Sequence, residues 1–548
     1  MTALPDWVFE NFLTRPWPGS WLAGGAFDRF TTGLSIGLSL CASGLFILDE
    51  RRRRLGRPFS ARATRAVCVA LSVLSFFTYF DFFNPNTRFH DYYHRHEFYH
   101  YYLGSKYFGE IGYDRLYTCT AIAEVEAGHA EEVKRSRICD LGGTNLVIPI
   151  EDSYVFSDPA RCKRHFSSAR WQEFRKDVEW FASVSRRDGE YWPRMRIDHG
   201  YNPPPVWTMT GKLLSSLAPA GDHFFKLLAL LDILLQLGAL LAIRWAFGLR
   251  IMTLAAVFWG CNAAANNHFT LGAFLRQDWH FLFVLSVCFA RKRWHALSGA
   301  ALTWSTALRV FPVIAFAGAG LVILLDVLHT RRLRRAHRNF ILGSALAGAA
   351  LFGASSAVTG VDAYRAFADH IRLHKDTPLT NNMGVEMLLA HTWEGRLVFN
   401  TDERLDDTVQ PWKEGHLARA HALRPLLLAI SALELLWMAW VLRRTRVLWA
   451  GIALSMPLMM SLLNLTNYYY CMFVALAPLV VLSPALGPAF LALAAASQVI
   501  LTRFYWIDDE YAAMSLLFYA FALCTLYALS RPVRGWRELR GMFARGGR

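Results

Sequence analysis

Apolar residues in this chain come mostly in long runs, and not at the two- or 3.6-residue periods of half-buried elements. A hydrocarbon core of about 30 Å is crossed by roughly 20 apolar residues in a helix. Runs of this kind predict spans at 31–48, 65–83, 224–243, 251–268, 277–290, 296–308, 312–328, 339–358, 424–442, 447–463, 468–484, 488–502 and 512–529, about thirteen in all. Several are short, and 296–328 reads either as one long tilted helix or as two short ones.

The basic residues favour two. Arg291-Lys292-Arg293 precedes this stretch and a cluster from Arg331 to Arg338 follows it. Cytoplasmic loops are rich in Lys and Arg, so both clusters are expected inside. The chain must then go out and come back, turning near Arg309 to Pro312, where Pro312 supplies the break. Arg51 to Arg57, Arg244 to Arg250, Arg443 to Arg446 and the tail from Arg531 to Arg548 fall inside by the same topology. The amino terminus is expected outside. So are 84–223, the turn around Arg276, the loop 359–423, the turn from Asn464 to Asn467, and 503–511.

The expected fold is therefore an all-α polytopic membrane protein with an α-rich exoplasmic loop domain. Its parts are 1–83 with the first two spans, the loop domain 84–223, a bundle over 224–530, and a basic tail 531–548. Composition agrees: of 548 residues, 54% are hydrophobic and only 18% charged, less charge than a soluble domain carries. The net charge of +15 would suit a nucleic-acid binder, but the cations sit between apolar runs, so no nucleic acid is expected. Asp6, Glu10 and Asp28 interrupt the first 30 residues, so no cleavable signal peptide is expected. The loop 84–223 holds Cys119, Cys139 and Cys162, which permit one disulfide and a spare thiol without choosing the pair. The other six cysteines lie in apolar runs and read as small hydrophobes. Trp171, Phe174, Val178 and Phe181 recur at helical spacing, which fits a helix lying on the membrane or one packed into the loop.

The densest polar and aromatic stretch follows the second span: RFHDYYHRHEFYHYYLGSK, from Arg88 to Lys106. Titratable groups this near a membrane are costly unless paired, hydrated or used. His96-Glu97-Phe98-Tyr99-His100 matches H-E-x-x-H, the pattern of a zinc peptidase, with Glu124, Glu126 or His129 as a third ligand. Four histidines in eleven residues make a chance match easy, and no metal is expected. The other reading is a carboxylate acting as general base beside cations that hold a phosphate. Cations available on the outer side are Arg88, Lys106, Arg196, Arg276 and Arg309. Arg276 stands beside Asp278 and reads equally as its ion-pair partner. Arg309 reads as a phosphate ligand or as a snorkelling side chain. Between Tyr191 and Trp207, Pro203-Pro204-Pro205 forms a stiff return to the membrane, while Tyr201 and Trp207 offer a floor for a sugar.

The run from Glu97 to Tyr117, EFYHYYLGSKYFGEIGYDRLY, resembles the first exoplasmic loop of the GT-C glycosyltransferases. It is most similar to the polyprenol-phosphate-mannose-dependent mannosyltransferases, with Glu97 where that family usually has Asp. Asp91 is the fallback acid. Leu308 to Pro312 resembles the family's Lys-x-x-Pro element with Arg309 replacing Lys. Asn381 to Leu389 is similar to its Asn-Gln-Ser-Leu loop, and Asn464 to Tyr470 resembles its late Ser-Trp-x-x-Tyr turn. Gly272 to Trp279 takes the place of a Gly-Gln-x-Asn element and departs from it.

The resemblance implies a GT-C-type bundle in the plasma or inner membrane, with its site facing the periplasm or exterior. It implies inverting transfer of a sugar from a polyprenyl-phosphate donor to a lipid, glycan or protein acceptor. Glu97, or else Asp91, would be the base. Arg309, Lys106, Arg276 and Arg88 would hold the phosphate. His100, Tyr101, Tyr102, Arg196, Tyr201, Trp207, Asn382, Tyr468 and Tyr469 would bind substrate. No cofactor is implied. A transporter or lipid-binding protein without chemistry is the competing class; repeated halves with paired broken helices would mark it. No such repeat is read here.

Overall fold

The computed structural model describes residues 25–84, 92–187, 191–266, 270 and 272–531. It is an all-α membrane architecture with two minimal two-stranded sheets among the described residues. Eight described helices are long and apolar enough to cross a membrane: Ala26–Arg54, Ala61–Tyr79, Asp222–Phe247, Phe311–Thr330, Arg335–Thr359, Gln410–Thr445, Leu486–Arg503 and Ile507–Ser530. The other five apolar windows also form helices, at Leu249–Cys261, Asp278–Arg291, His295–Leu308, Leu448–Leu462 and Asn467–Val481. These are shorter. Fourteen residues, as in Asp278–Arg291, rise only about 21 Å.

The stretch 296–328 is two helices. Arg309 is extended (φ −147°, ψ 122°) and ends the first; Pro312 then opens a short turn, Phe311–Ile314, into the second. Other boundaries differ from the hydropathy reading, and the helix in the window 251–268 ends at Cys261. Leu448–Leu462 is interrupted between Ala453 and Met456. Gln410–Thr445 begins well before the apolar window at 424, because Trp412, His416 and Ala420 are buried on one face of a polar first half.

The basic clusters gather at one end of the bundle. Arg250 pairs with Asp49 at 2.8 Å, joining the turn after Asp222–Phe247 to the end of Ala26–Arg54. Arg291 lies over Phe247 and Trp449, 5.6 and 5.9 Å from the ring centres. Arg444 donates to the Ser530 carbonyl. Arg334 pairs with Asp326 at 2.8 Å, closing the turn between its two helices. Small residues let these helices touch: a Cβ on Gly343 would meet the Ala296 carbonyl, and one on Gly318 the Gly451 carbonyl. Leu227, Leu234, Leu346, Leu433 and Leu436 face outward, as expected of a surface solvated by lipid.

At the other end, the described residues of 92–221 fold as a unit on the bundle. Cys119 and Cys162 form its disulfide, and Cys139 is a buried free thiol. A short hairpin pairs Arg137–Cys139 with Val147–Pro149, Ile138 opposite Ile148. The helix Ser168–Arg187 turns Trp171, Phe174, Val178 and Phe181 into the unit's core, all buried. Phe174 meets Tyr107 at 5.0 Å, and Phe181 meets Phe225 of the span below at 5.4 Å. This face packs against protein, which decides between the two readings of that spacing.

Candidate functional site

Glu97 lies in the turn Arg95–Phe98, which widens at Tyr99–Leu103 into a π-turn. Such turns interrupt the normal ladder and are frequent at functional sites. His94 holds the start of the turn: its backbone N–H donates to the Gly272 carbonyl at 2.9 Å, and its ring accepts from the Glu97 N–H at 3.2 Å. Gly272 has φ +64°, and a Cβ there would strike the Tyr92 and Tyr93 backbone, so only glycine allows this approach. The loop from Gly272 is thereby laid beside Glu97.

That loop presents Arg276. Its Nη2 meets Glu97 Oε1 at 2.5 Å, and its Nη1 donates to the Tyr101 hydroxyl at 2.8 Å. The guanidinium also lies 4.6 Å from the Tyr468 ring centre. Arg276 does not take Asp278 as its ion-pair partner; it takes the acid of the aromatic stretch. Burial opposes its charge, but Glu97 and then the surrounding tyrosines outweigh burial and hold its pKa well above the usual value. The loop backbone is anchored separately. Asp232, in the span Asp222–Phe247, accepts from the backbone N–H of Arg276 at 3.1 Å and of Gln277 at 3.0 Å. Trp207 Nε1 donates to the Leu275 carbonyl at 3.1 Å.

Arg309 comes to the same place from the break between two helices. It is 5.9 Å from the Tyr101 ring centre and 5.8 Å from that of Trp207. Tyr469 and Phe311 meet Trp279 edge to face, with centroids at 5.8 and 4.7 Å, beside it. Tyr201 closes against Tyr101 at 6.1 Å and lies so close to Gly104 that no Cβ fits there. Among the described residues, Glu97 Oε2, Arg276 Nε, and Arg309 Nε and Nη2 are buried without a hydrogen-bond partner. A buried polar atom left unpaired costs about 1–3 kcal/mol, more when charged. The cluster therefore has unmet capacity for both a donor and an anion.

So Glu97, Arg276, Arg309, Tyr101, Tyr201, Trp207, Tyr468 and Tyr469 come together. Asn382 lies nearby in a short strand, opposite Thr466. The segments 381–389 and 464–470 are joined there, since Asn381 Nδ2 donates to Asn467 Oδ1 at 3.0 Å. Other expected site residues are engaged elsewhere. Lys106 is buried and paired with Asp177 at 2.7 Å and Glu173 at 2.9 Å, with the Tyr102 hydroxyl at 3.0 Å. Arg196 is fully buried on Glu124 at 2.7 Å. His100 Nε2 meets the Tyr117 hydroxyl at 2.7 Å. Burial and then His96 push its pKa down to about 3, which leaves it neutral. These contacts hold the loop unit together. Arg88 and Asp91 lie outside the described residues.

Of the third ligands offered for His96 and His100, Glu124 is taken by Arg196 and Arg186, and Glu126 by Lys163 and the Trp171 indole. The residue that does approach is Asp198, with Oδ2 2.6 Å from His96 Nε2. Neither Asp198 nor Asp232 has a spacing in the sequence that relates it to what it touches, 102 positions away for His96 and Asp198 and 44 for Arg276 and Asp232.

No protein-family model, no curated protein and no solved structure matches the chain. The functional reading rests on the geometry and on the resemblance of short motifs.

Proposed function

We propose that this protein is a membrane glycosyltransferase of GT-C type. It moves a sugar from a polyprenyl-phosphate donor to an acceptor hydroxyl on the side of the membrane opposite the basic clusters. The observation that carries this reading is the buried meeting of one carboxylate, Glu97, with two arginines, Arg276 and Arg309, inside a ring of tyrosines and tryptophans. A glycosyl transfer from a lipid phosphate needs these groups. The acceptor oxygen attacks the anomeric carbon as the bond from that carbon to the phosphate oxygen breaks, and the electron pair leaves on the phosphate. The acceptor proton goes to a carboxylate. Attack opposite the leaving group inverts the anomeric carbon.

In this scheme Oε1 of Glu97 stays on Arg276, which fixes the carboxylate, and the unpaired Oε2 takes the proton. Arg309, with two unpaired nitrogens, receives the phosphate, and Arg276 balances the charge that grows on it. The aromatic walls offer faces for a sugar and exclude water. The arginines sit at the ends of helices rising only about 21 Å, against about 30 Å for a full crossing, which suits a phosphate held just below the interface. The thirteen-crossing topology, with 92–221 outside, belongs to the same proposal through the one-sided basic clusters.

The test is turnover and donor binding by the full chain in nanodiscs, with Glu97→Gln and Arg309→Ala as variants. Full turnover by both variants removes the reading. A peptidase reading is less favoured because the Glu97 carboxylate shares its surroundings with two arginines, Arg276 and Arg309, which suit an anionic leaving group.

A further inference from the structure

We propose that His96, His100 and Asp198 form a binding site for one divalent transition-metal ion, zinc in first place. The three residues come from two separate segments: the turn carrying Glu97, and the strand-like return that follows Met195–Ile197. One ligand atom from each lies within 4.8 Å of the other two. The imidazoles of His96 and His100, four residues apart on one helical face, have ring centres 4.4 Å apart. Two imidazoles and one carboxylate are a donor set that zinc and its first-row neighbours prefer, with a fourth position left open.

The surroundings match what such ligands need. His100 Nδ1 faces the His96 carbonyl at 2.7 Å, the backbone partner that fixes the tautomer and leaves Nε2 for a metal. The Tyr117 hydroxyl now stands 2.7 Å from that Nε2, held in place by the Gly200 N–H at 2.8 Å. It is positioned to stand aside or to serve at the fourth position. His96 Nε2 and Asp198 Oδ2 are 2.6 Å apart, a hydrogen bond. Ligand atoms around a tetrahedral ion at about 2.0 Å stand about 3.3 Å apart, so loading opens the pair by less than an ångström.

A second cluster, His391 with Asp508 and Asp509, has similar spacing. It already holds a cation: Arg396 Nη2 is 2.8 Å from Asp509, and the Leu397 N–H is 2.6 Å from Asp508. No guanidinium hydrogen-bonds Asp198 in this way among the contacts described, which sets the two apart. The ion is assigned a structural role, apart from the Glu97–Arg276 pair. Its effect is to pin the turn that carries Glu97 to the 195–200 segment. Metal binding stands independently of the proposed glycosyl transfer; only a positioning effect on Glu97 rests on that reading.

The experiment uses the full chain in detergent, stripped with a chelator and titrated with Co²⁺, then Zn²⁺. The wild type is expected to take up one Co²⁺ per chain, with visible absorption, and to release it to one Zn²⁺. His96→Ala and Asp198→Asn should each weaken uptake at least tenfold, while His391→Ala leaves it unchanged. Absence of saturable Co²⁺ and Zn²⁺ uptake by the wild type, a measurement that needs no variant to fold, overturns the proposal. Unchanged uptake in both site variants, or loss in His391→Ala alone, overturns it as well. Since metal content is read without substrate, a failed transfer assay does not bear on the result.

Discussion

Glu97 Oε1 and Arg276 Nη2 meet at 2.5 Å across 179 positions of sequence, and both side chains are buried. Truncating either partner of such a pair would leave the other buried and uncompensated, so the informative substitution is one that keeps the shape. Glu97→Gln keeps the shape and can still accept from Arg276, but takes no proton. Turnover should fall on the order of 10²–10⁴-fold, with donor binding retained. Asp91→Asn is the control. Normal turnover by Glu97→Gln beside a dead Asp91→Asn would move the base to the earlier acid.

Arg309→Ala should separate from that behaviour. Among the described residues its guanidinium makes one hydrogen bond, to the Leu308 carbonyl, so little of the described fold depends on it. Binding of the lipid-phosphate sugar should weaken by tenfold or more, together with transfer. Arg309→Lys keeps charge and loses the fork, so partial recovery is expected. Equal donor affinity in wild type and Arg309→Ala, measured by titration in nanodiscs, counts against a phosphate at this residue.

Lys106 should behave as a structural cation. Lys106→Met leaves Asp177 buried without its ion pair and should cost about 3–5 kcal/mol of stability. Adding Asp177→Leu to it should recover most of the loss. Thermal unfolding of the single and double variants checks this. A Lys106→Met protein of normal stability with impaired donor binding would return Lys106 to the phosphate site.

The Cys119–Cys162 bridge closes a separation of 43 residues. A loop of that size is worth about 4 kcal/mol by chain entropy alone. The double Ser variant should therefore lose stability in the 92–221 unit. Cys139, buried in the short hairpin, should stay unreactive to thiol reagents until the unit unfolds.

Sidedness is tested by labelling single cysteines engineered into a background without reactive native thiols. A cysteine near Gly128 should react with an impermeant reagent added outside, and one near Arg335 should not. The opposite pattern inverts the topology and places the candidate site on the cytoplasmic face.

Much of this was legible in the sequence for a simple reason: a lipid-solvated helix must be apolar for most of its length, so hydropathy alone finds it. Each of the thirteen windows contains a described helix, and eight of these are long and apolar enough to cross a membrane. Hydropathy missed the polar first half of Gln410–Thr445, where Trp412 and His416 are buried by contacts that a window average dilutes. In the site, the density of titratable groups marked only the stretch from Arg88 to Lys106, and the resemblance to the glycosyltransferase loop picked Glu97 within it. Its partner was not legible, because nothing near Arg276 in sequence marks a contact with residue 97; the neighbouring Asp278 looked as good. Lys106 and Arg196 looked like free outer cations because their acids, Asp177 and Glu124, lie 71 and 72 positions away. Charge pairing between distant segments is a property of the fold, and a linear reading sees only the unpaired charge.

Asp232 gives the Arg276 loop an anchor that does not involve the Arg276 side chain. Its two carboxylate oxygens hold the backbone N–H groups of residues 276 and 277, one each. The shape of the turn and the chemistry it displays are thus separate variables. A change of side chain at 276 takes away the partner of Glu97 while the backbone of the turn keeps its anchor, whereas a change at 232 frees the backbone that carries every group the turn displays.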